Sequence, residues 1–570
     1  MYLKRLGCVQ YIQLLLLASQ AWNAAGTRTE VTSLPGYKGG NTPLPTKTYT
    51  GFVEVDAQSK STLFYMLVEA QSDPAQKPLI WWFNGGPGAS SLAGAFGENG
   101  PLLLTEQNTL LENPYSWTSI ANVLFVEFAP GVGYSFCANS TDPLAKCPQE
   151  SGECSPCPTS DSQVVDQNIA FLDALLVGSK NRPALFPELR GRELFLAGES
   201  YAGVYIPTLA QGILHRVQDT SIINLIGFWV TDPCTDNRAQ FGWLDLGVQF
   251  AYEKGIISRQ VRDTLKGSDC STGTSAVGDL NRKTDILKCR QAWRLYDISL
   301  AGLGNAVHPE GIPQLPMYID PLNAYGPSGG ADLPAFLGRE DVRKAMHAEA
   351  SANKVYHIEL GNNGYPEYHL EYLACNPTPN AEIKNSMLDV YRDIVLLSST
   401  GTKSAANLRT VIISSGDIDP VVALHGTENA VEALGYPKAM GGERRPWFFN
   451  SSATDSNTLL RKPVAWGQTL HAQEAGAQIG GFISNFNTSS KLAISFVTIR
   501  DSGHMTPAYT PQRTLHVIRR GLLVGRELSP FLPQHWGEVE DEKFYGRVTK
   551  RPGIFVDWIK LASSSDFTSQ

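Results

Sequence analysis

The sequence has no long run of basic residues, and its formal net charge over 570 residues is −8. A strongly anionic partner, such as nucleic acid or an anionic membrane surface, is therefore not expected. Beyond its first residues the chain has no apolar run long enough to cross a bilayer, and its ending SSSDFTSQ lacks the tail of a lipid-anchor signal. These absences predict a soluble mature protein without a membrane anchor.

Motifs of several other enzyme classes are also missing. The ten histidines include no HExxH or comparable ligand spacing, so no metal site is predicted. The glycine-rich stretch NGGPG, Asn84–Gly88, is not followed by the G-K-[ST] of a phosphate loop. No cofactor is therefore expected, and internal repeats and long low-complexity tracts are absent as well.

The first 21 residues have the order of features of a secretory signal peptide. Lys4 and Arg5 precede the apolar segment YIQLLLLA, and Ser19–Ala21 has the small-x-small pattern of a cleavage site. A buried N-terminal helix is the alternative, and the apolar segment is too short for a membrane anchor.

Eight cysteines remain once Cys8 of the predicted signal is set aside. An even number in a secretory chain favours disulfides. The close group between Cys137 and Cys157, which includes CSPC, could instead form a zinc knuckle or a redox site. The eight are Cys137, Cys147, Cys154, Cys157, Cys234, Cys270, Cys289 and Cys375, and a Cys270–Cys289 bridge is the one pairing that we expect.

Three N-x-[ST] sequons occur, at Asn139, Asn450 and Asn487. In a secreted chain each would carry a glycan on an exposed loop. The signal, the cysteines and the sequons together favour a secreted protein, or alternatively a vacuolar one.

Short apolar runs alternate with helix-like segments along much of the chain. The runs PLIWWF, ANVLFVEF, ELFLAG and INLIGFWVTD are typical of buried strands, and YTGFVEVD with STLFYMLVEA resembles a hairpin. This alternation predicts an α/β protein with a mostly parallel central sheet.

The strand pattern stops between about Cys234 and Met346, a part rich in charge, turn residues and cysteine, and returns at LRTVIISSGD and KLAISFVTIRD. The predicted organisation is a signal peptide at 1–21, a first part of the core at 22–233, an inserted subdomain at 234–346 and a second part of the core at 347–570.

The segment LFLAGESYAGVYIP places Ser200 between an apolar strand and a helix-like segment. A strand, a sharp turn of small residues and a helix are the context of a nucleophile elbow, although Ala202 replaces the second glycine of G-x-S-x-G. A serine in an ordinary turn is the alternative.

Two later segments complete a candidate triad. SSGDIDPVV places Asp417 and Asp419 at the end of a strand, and VTIRDSGHMTP places His504 in a loop after another strand. The order Ser200, Asp419, His504 is that of α/β-hydrolases. It predicts a nucleophile, a residue that orients the histidine, and a general base.

An oxyanion hole is also predicted. The backbone N–H after the nucleophile, that of Tyr201, would be one donor. The turn after the strand LIWWF, with Gly86, would supply the other.

Five motifs together resemble the serine carboxypeptidase family of the carboxypeptidase Y and cathepsin A type. They are WFNGGPGASSLAGAFGENGP, NPYSWTSIANVLFVE, GESYAG, GDIDPVV and GHMTP, in family order from about Leu34 to about Leu528. Fungal secreted or vacuolar members are the most similar. The resemblance implies an α/β-hydrolase fold with an inserted, mainly helical cap, and removal of C-terminal residues from peptides and proteins at acidic pH.

The resemblance also explains an acid directly before the candidate nucleophile. In this family an Asn and two Glu bind the free C-terminal carboxylate of the substrate, and here the motifs assign them to Asn84, Glu98 and Glu199. Trp82 matches a family tryptophan that lines the same subsite. Two buried carboxyls held together share a proton, which lets them donate a hydrogen bond to a carboxylate.

Two positions depart from the family pattern. Ala89 stands where many members have a disulfide cysteine, and EFAPGVGYS replaces the usual D-Q-P-x-G-x-G-[FY]-S, which puts the wall of the neighbouring subsite in doubt. The alternatives to a carboxypeptidase are an esterase or acyltransferase on the same scaffold, and a binding or chaperone-like protein without activity.

Overall fold

A computed structural model of the chain describes most of the segments between 26 and 564. The described residues are 26–105, 107–137, 157, 159–179, 182–216, 219–240, 243–267, 270, 287–301, 332–351, 356, 368–375, 385–400, 407–419, 421–451, 476–533 and 554–564. The predicted signal peptide at 1–21 lies outside these residues, as do Asn139, Cys147 and Cys154.

A twelve-stranded sheet forms the centre of the described structure. Its strands, together with those of two small two-stranded sheets, are β1 (Thr29–Val31), β2 (Thr48–Asp56), β3 (Ser61–Val68), β4 (Leu79–Phe83), β5 (Leu102–Leu104), β6 (Leu110–Glu112), β7 (Asn122–Glu127), β8 (Phe136–Cys137), β9 (Thr159–Ser160), β10 (Glu193–Glu199), β11 (Asn224–Thr231), β12 (Tyr368–His369), β13 (Thr410–Gly416), β14 (Arg445–Ser451), β15 (Gly476–Phe486) and β16 (Ala493–Ile499).

The middle of the large sheet is parallel and its margins are antiparallel. The strand order is β1-β2-β3-β7-β4-β10-β11-β13-β16-β15-β14, with β8 beside β3. Strands β7, β4, β10, β11, β13 and β16 pair in parallel. The hairpin β2–β3 and the pair β14–β15 are antiparallel. The predicted α/β-hydrolase fold with a mostly parallel sheet is confirmed.

Helices follow most of the parallel strands. Those in the described residues are α1 (Ser91–Gly97), α2 (Asp161–Leu172), α3 (Ala202–Arg216), α4 (Asn237–Gln240), α5 (Trp243–Glu253), α6 (Arg259–Lys266), α7 (Leu287–Ala301), α8 (Leu333–Gly338), α9 (Glu340–Ala345), α10 (Met387–Thr400), α11 (Leu424–Glu432), α12 (Thr506–Tyr509), α13 (Pro511–His516) and α14 (Ile554–Ala562). Helices α4 to α9 fall within the predicted insertion at 234–346, whose boundaries stay a prediction.

The central strands are apolar on both faces because helices cover both sides of the sheet. In β10, Leu194 and Leu196 point into one core with Phe171 and Leu209. Phe195 and Ala197 of the same strand point into the other core. This two-sided burial explains why the strands appear in the sequence as continuous apolar runs rather than as alternating ones.

Three disulfides join described cysteines: Cys137–Cys157, Cys234–Cys375 and Cys270–Cys289. The expected Cys270–Cys289 pairing is confirmed. The zinc interpretation is wrong for Cys137 and Cys157, because their sulfurs are bonded to each other. Such bridges are typical of chains that pass through an oxidising compartment.

The described helices include none that combines the length and the apolar character needed to cross a membrane. Of the sequons, Asn487 is exposed, and its side-chain oxygen accepts a hydrogen bond from the N–H of Ser489 at 2.9 Å. Asn450 lies in β14. Glycosylation at the three sequons stays a prediction.

Candidate active site

The predicted site residues lie at one edge of the sheet, where the parallel strands end. Asn84 follows β4, Ser200 follows β10, and Asp419 and His504 follow β13 and β16. Because neighbouring parallel strands end at the same edge, residues far apart in the sequence come together there. Asp232, which follows β11, lies at the same edge and was not singled out from the sequence.

Ser200 occupies a tight turn between β10 and α3. Its backbone φ is +60°, in the left-handed region that non-glycine residues rarely adopt. Its N–H donates to Thr231 O at 3.0 Å, and its carbonyl accepts from the N–H groups of Gly203 and Cys234, each at 2.9 Å. These bonds fix the turn in the geometry of a nucleophile elbow.

The small residues around Ser200 are required by close packing. A Cβ on Gly198 would lie 2.3 Å from Phe83 O and 2.8 Å from the Ala202 Cβ. The elbow therefore needs glycine before the acid–serine pair and a small residue after it. Ala202 meets this need, so the departure from G-x-S-x-G keeps the turn.

Asp419 and His504 form a buried hydrogen-bonded pair. His504 Nδ1 lies 2.8 Å from Asp419 Oδ2, and the two side chains are 2% and 0% exposed. The Asp419 carboxylate also accepts the N–H groups of Val421 at 2.7 Å and Val422 at 3.1 Å. Asp417, the other candidate acid, instead accepts the N–H of Asp501 at 2.7 Å.

The turn after β4 packs directly against the elbow. A Cβ on Gly85 would lie 2.5 Å from Tyr201 N and 2.6 Å from Ser200 Cβ. Gly86 has a φ of +108°, and the N–H of Gly88 donates to Tyr205 OH at 3.2 Å. The backbones of the two predicted oxyanion-hole residues, Gly86 and Tyr201, thus belong to two turns in contact.

Asn84, Glu98 and Glu199 form a buried cluster next to Ser200, in which all three are at most 4% exposed. The Asn84 amide Nδ2 donates to Glu98 Oε1 and Glu199 Oε1, each at 2.9 Å. Its Oδ1 accepts from Trp82 Nε1 at 2.7 Å and Gly94 N at 3.0 Å. Trp82, fully buried, therefore orients the amide so that its two hydrogens face the glutamates.

Glu98 and Glu199 lie together because the one Asn84 amide donates to both of them. Burial is the largest cause that raises the pKa of each carboxyl above its usual range, and for Glu199 the nearby Glu98 raises it further. No amide or hydroxyl donor in the described part of the chain bonds to the Oε2 atom of either glutamate. A carboxyl of this pair that carries a proton can donate a hydrogen bond to an anion.

Asp232, Asp419 and His504 are the one group of potential metal ligands found among the described residues, with ligand atoms within 4.8 Å of one another. All three are buried, and the histidine and Asp419 already bond to each other. The side chains of this group therefore already take part in hydrogen bonds within the protein.

Glu127, at the end of β7, is a further buried acid near the site. It accepts hydrogen bonds from Ser90 Oγ at 2.7 Å, from Tyr134 N at 2.6 Å and from Tyr356 OH. Burial raises its pKa to about 7. Ser90 caps the N-terminus of α1, and Glu98 lies at the C-terminal end of the same helix. Glu127 belongs to EFAPGVGYS, the segment that differs from the family pattern, so this segment supports the helix that carries Glu98.

A model of the serine carboxypeptidase family matches residues 35–523. The chain belongs to the serine carboxypeptidase family. The matched range agrees with the interval from Leu34 to Leu528 that the motifs span, and the family is one of peptidases.

Plant and animal members of the family are similar over most of their length. The chain is 28% identical to serine carboxypeptidase-like 37 of Arabidopsis thaliana, covering 85% of this chain and 84% of the relative. It is also 28% identical to the mouse lysosomal protective protein, covering 89% and 97%.

A solved structure has the same fold. The prohormone-processing carboxypeptidase of Saccharomyces cerevisiae matches with a TM-score of 0.52 and 17% identity, covering 83% of this chain and 90% of that one.

Proposed function

We propose that this protein is a serine carboxypeptidase that hydrolyses the C-terminal peptide bond of peptides and proteins at acidic pH. The observation that carries the proposal is the buried Asn84–Glu98–Glu199 cluster, in which Glu199 directly precedes the candidate nucleophile Ser200 in the chain. An acid pair that lies beside the nucleophile fits a substrate whose cut bond lies one residue from a free carboxylate.

In the proposed mechanism Ser200 Oγ attacks the carbonyl carbon while His504 Nε2 takes its proton. The N–H groups of Gly86 and Tyr201 stabilise the oxyanion, and Asp419 holds the imidazole and balances its charge. His504 then gives the proton to the leaving nitrogen, which releases the C-terminal amino acid. Water, deprotonated by His504, attacks the acyl-enzyme and regenerates Ser200.

We assign the recognition of the substrate carboxylate to Glu98 and Glu199 through their shared proton. Asn84 already uses both amide hydrogens on the glutamates, so its part is to hold the pair together, with Trp82 orienting it. Ionisation of the pair would place negative charge against the substrate anion, and burial raises the pKa of Glu98 to about 7. Peptidase activity is therefore expected at acidic pH and lost as pH rises through neutrality.

The test compares an N-blocked dipeptide that has a free C-terminus with the same dipeptide amidated, at acidic and at neutral pH. We expect a strong preference for the free acid, greatest at acidic pH. Asn84→Ala and Glu98→Gln should each reduce that preference by about tenfold or more, because each removes part of the hydrogen-bonded pair. Glu112→Gln, a change at a half-exposed glutamate paired with Lys38, is the matched control and should leave the preference unchanged.

Equal turnover of acid and amide would contradict the carboxypeptidase assignment and favour an esterase or acyltransferase on this scaffold. Failure of a fluorophosphonate to label Ser200 would instead favour a binding protein without activity. The proposed compartment is secreted, or alternatively vacuolar, on the basis of the N-terminal segment and the disulfides. A kinship with fungal members stays a prediction, as does the cap at 234–346.

A further inference from the structure

Asp232 is a buried acid that the proposed mechanism leaves without a part. It directly follows β11, is 0% exposed and has a φ of +47°. Its Oδ1 accepts from Ser415 Oγ at 2.9 Å and from Gly416 N at 2.8 Å. Its Oδ2 accepts from Thr231 Oγ1 at 3.0 Å.

The carboxyl of Asp232 also reaches the candidate triad. The ligand atoms of Asp232, Asp419 and His504 all lie within 4.8 Å of one another, so the two carboxyl groups are neighbours in a buried site. Two oxygens of carboxyl groups can share a hydrogen bond only if one group carries a proton. Two buried carboxylates this close do not both ionise.

The surroundings decide which of the two holds the proton. Asp419 receives two backbone N–H groups and a histidine that becomes cationic during the reaction, so its anion is well stabilised. Burial raises the pKa of Asp232 well above its usual range, and the neighbouring Asp419 raises it further. The proton therefore belongs on Asp232.

Further acids among the described residues act on this pair, and one base, Lys254, acts on Asp417. Glu199, on the elbow side, acts electrostatically on Asp232, and Glu98 of the α1 end acts on His504. Asp417 of the β13 loop bonds to the backbone of Asp501 instead. The excess of carboxyl groups favours keeping Asp232 neutral.

We propose that Asp232 is a positioning residue of the triad, which as a neutral acid donates a hydrogen bond to the Asp419 carboxylate. This bond holds Asp419 against His504 Nδ1 and takes up part of the negative charge that would otherwise stabilise the imidazolium. The triad then stays reactive at a lower pH, within the acidic range in which the Glu98–Glu199 pair is protonated. The inference rests on the proposed triad and explains how one site meets both protonation requirements.

The test follows the rate at which a fluorophosphonate labels Ser200 as a function of pH, because labelling needs the triad but not the carboxylate cluster. Each variant is normalised to its own plateau at neutral pH. Asp232→Gly removes the donor and is suited to the left-handed backbone. The acid limb of its profile is the part in which the labelling rate falls with decreasing pH. The midpoint of this limb should move up by about one pH unit, so that the normalised labelling rate in the acidic range is about tenfold slower than in the wild type.

Asp232→Asn keeps a neutral donor at the same place, and asparagine tolerates this backbone conformation. Its acid limb should have the wild-type midpoint. Asp236→Asn is the matched control, since Asp236 is a buried acid of the same loop that bonds to Ser386 and the backbone of Arg238. It too should keep the midpoint.

Three results would overturn the inference. A wild-type midpoint in Asp232→Gly would leave Asp232 with a structural part only. A shift of Asp232→Asn to lower pH would mean that Asp232 is ionised in the wild type, and this variant decides the matter even if the glycine variant does not fold. No labelling of the wild-type protein at Ser200 would remove the proposed triad itself.

Discussion

Gly85 is the residue at which the two turns of the site touch. A Cβ at this position would meet three atoms of the elbow, namely Tyr201 N at 2.5 Å, Ser200 Cβ at 2.6 Å and Glu199 O at 2.8 Å. Two of the three are backbone atoms that cannot rotate away. Any side chain here must push the NGGPG turn off the elbow, which would separate the two predicted oxyanion donors.

Gly85→Ala is therefore expected to slow labelling of Ser200 by a fluorophosphonate by about a hundredfold, the scale of a lost oxyanion donor. Gly338→Ala, at the end of α8, is the control, because within the described part of the chain its added Cβ would meet only Tyr356 Cβ, at an ordinary 3.9 Å. The labelling rate of both variants should be compared at equal concentrations of folded protein. A wild-type rate in Gly85→Ala would contradict the contact between the two turns.

Some residues of the candidate site can be predicted from local sequence patterns, and others cannot. Ser200, Asp419 and His504 follow apolar runs in a family order, so they could be proposed as a triad without coordinates. Asp232 follows the run INLIGFW in the same way, in VTDP, and that position was the signal available for it. Its distance from Asp419 depends on β11 and β13 being neighbours, which no local pattern reveals.

Among the elements, the segment 368–375 holds the turn at Ser200 in place through contacts outside the central sheet. Its strand β12 pairs with β9, and the OH of Tyr368 and the N–H of Glu371 bond to Asp161 at the start of α2. Asp161 also accepts the OH of Tyr201, the residue after the nucleophile. The Cys234–Cys375 bridge ties this segment to the loop whose backbone N–H bonds to Ser200 O.

Replacing both cysteines of this bridge, in Cys234→Ser with Cys375→Ser, should lower stability by about 2–5 kcal/mol, because it frees a loop closed over a sequence separation of 141. It should also slow labelling of Ser200. Calorimetry and fluorophosphonate kinetics measure the two effects.

The control is Cys270→Ser with Cys289→Ser, which opens a bridge of sequence separation 19 near α6 and α7. It should lower the melting temperature and leave labelling within about twofold of the wild type. Equal effects of the two cysteine pairs on the labelling rate would argue against this role of the segment 368–375.

Long apolar runs could be assigned as strands because the middle of the sheet is buried on both faces. The predicted run ELFLAG lies in β10 and INLIGFWVTD contains β11. The margin formed by β14 and β15 was not predicted. Its strands carry polar residues and glycines, among them Gly480 and Gly481, and they pair with each other and with β16 at the margin of the sheet.

At the scale of the whole molecule, buried acids outnumber buried bases among the groups with shifted pKa. Burial raises the pKa of Glu98 and Glu127 to about 7 and that of Asp161 to about 6. It raises those of Glu199 and Asp232 well above the usual range. In the unfolded chain all five titrate near pH 4, so the folded state binds more protons between there and neutrality.

Stability is therefore expected to fall as pH rises from about 4.5 to about 7, by about 1.4 kcal/mol per unit of pKa shift for each independent group. His516 acts in the opposite direction, because burial lowers its pKa to about 4. It is one group against the five acids named above, and burial raises the pKa of Asp173, Asp417 and Glu527 as well. Melting temperatures measured across this range should decrease with rising pH. Glu127→Gln should make the decrease shallower, and a rise toward neutrality would contradict the expectation.

The two carboxyl pairs at the site also change the charge of the molecule. The formal value of −8 counts every aspartate and glutamate as ionised. Because burial raises the pKa of Glu199 and Asp232 well above the usual range, each pair retains one proton at acidic pH, and the folded chain has at least two fewer negative charges there than its composition implies. The native protein thus has a higher isoelectric point than the same chain unfolded.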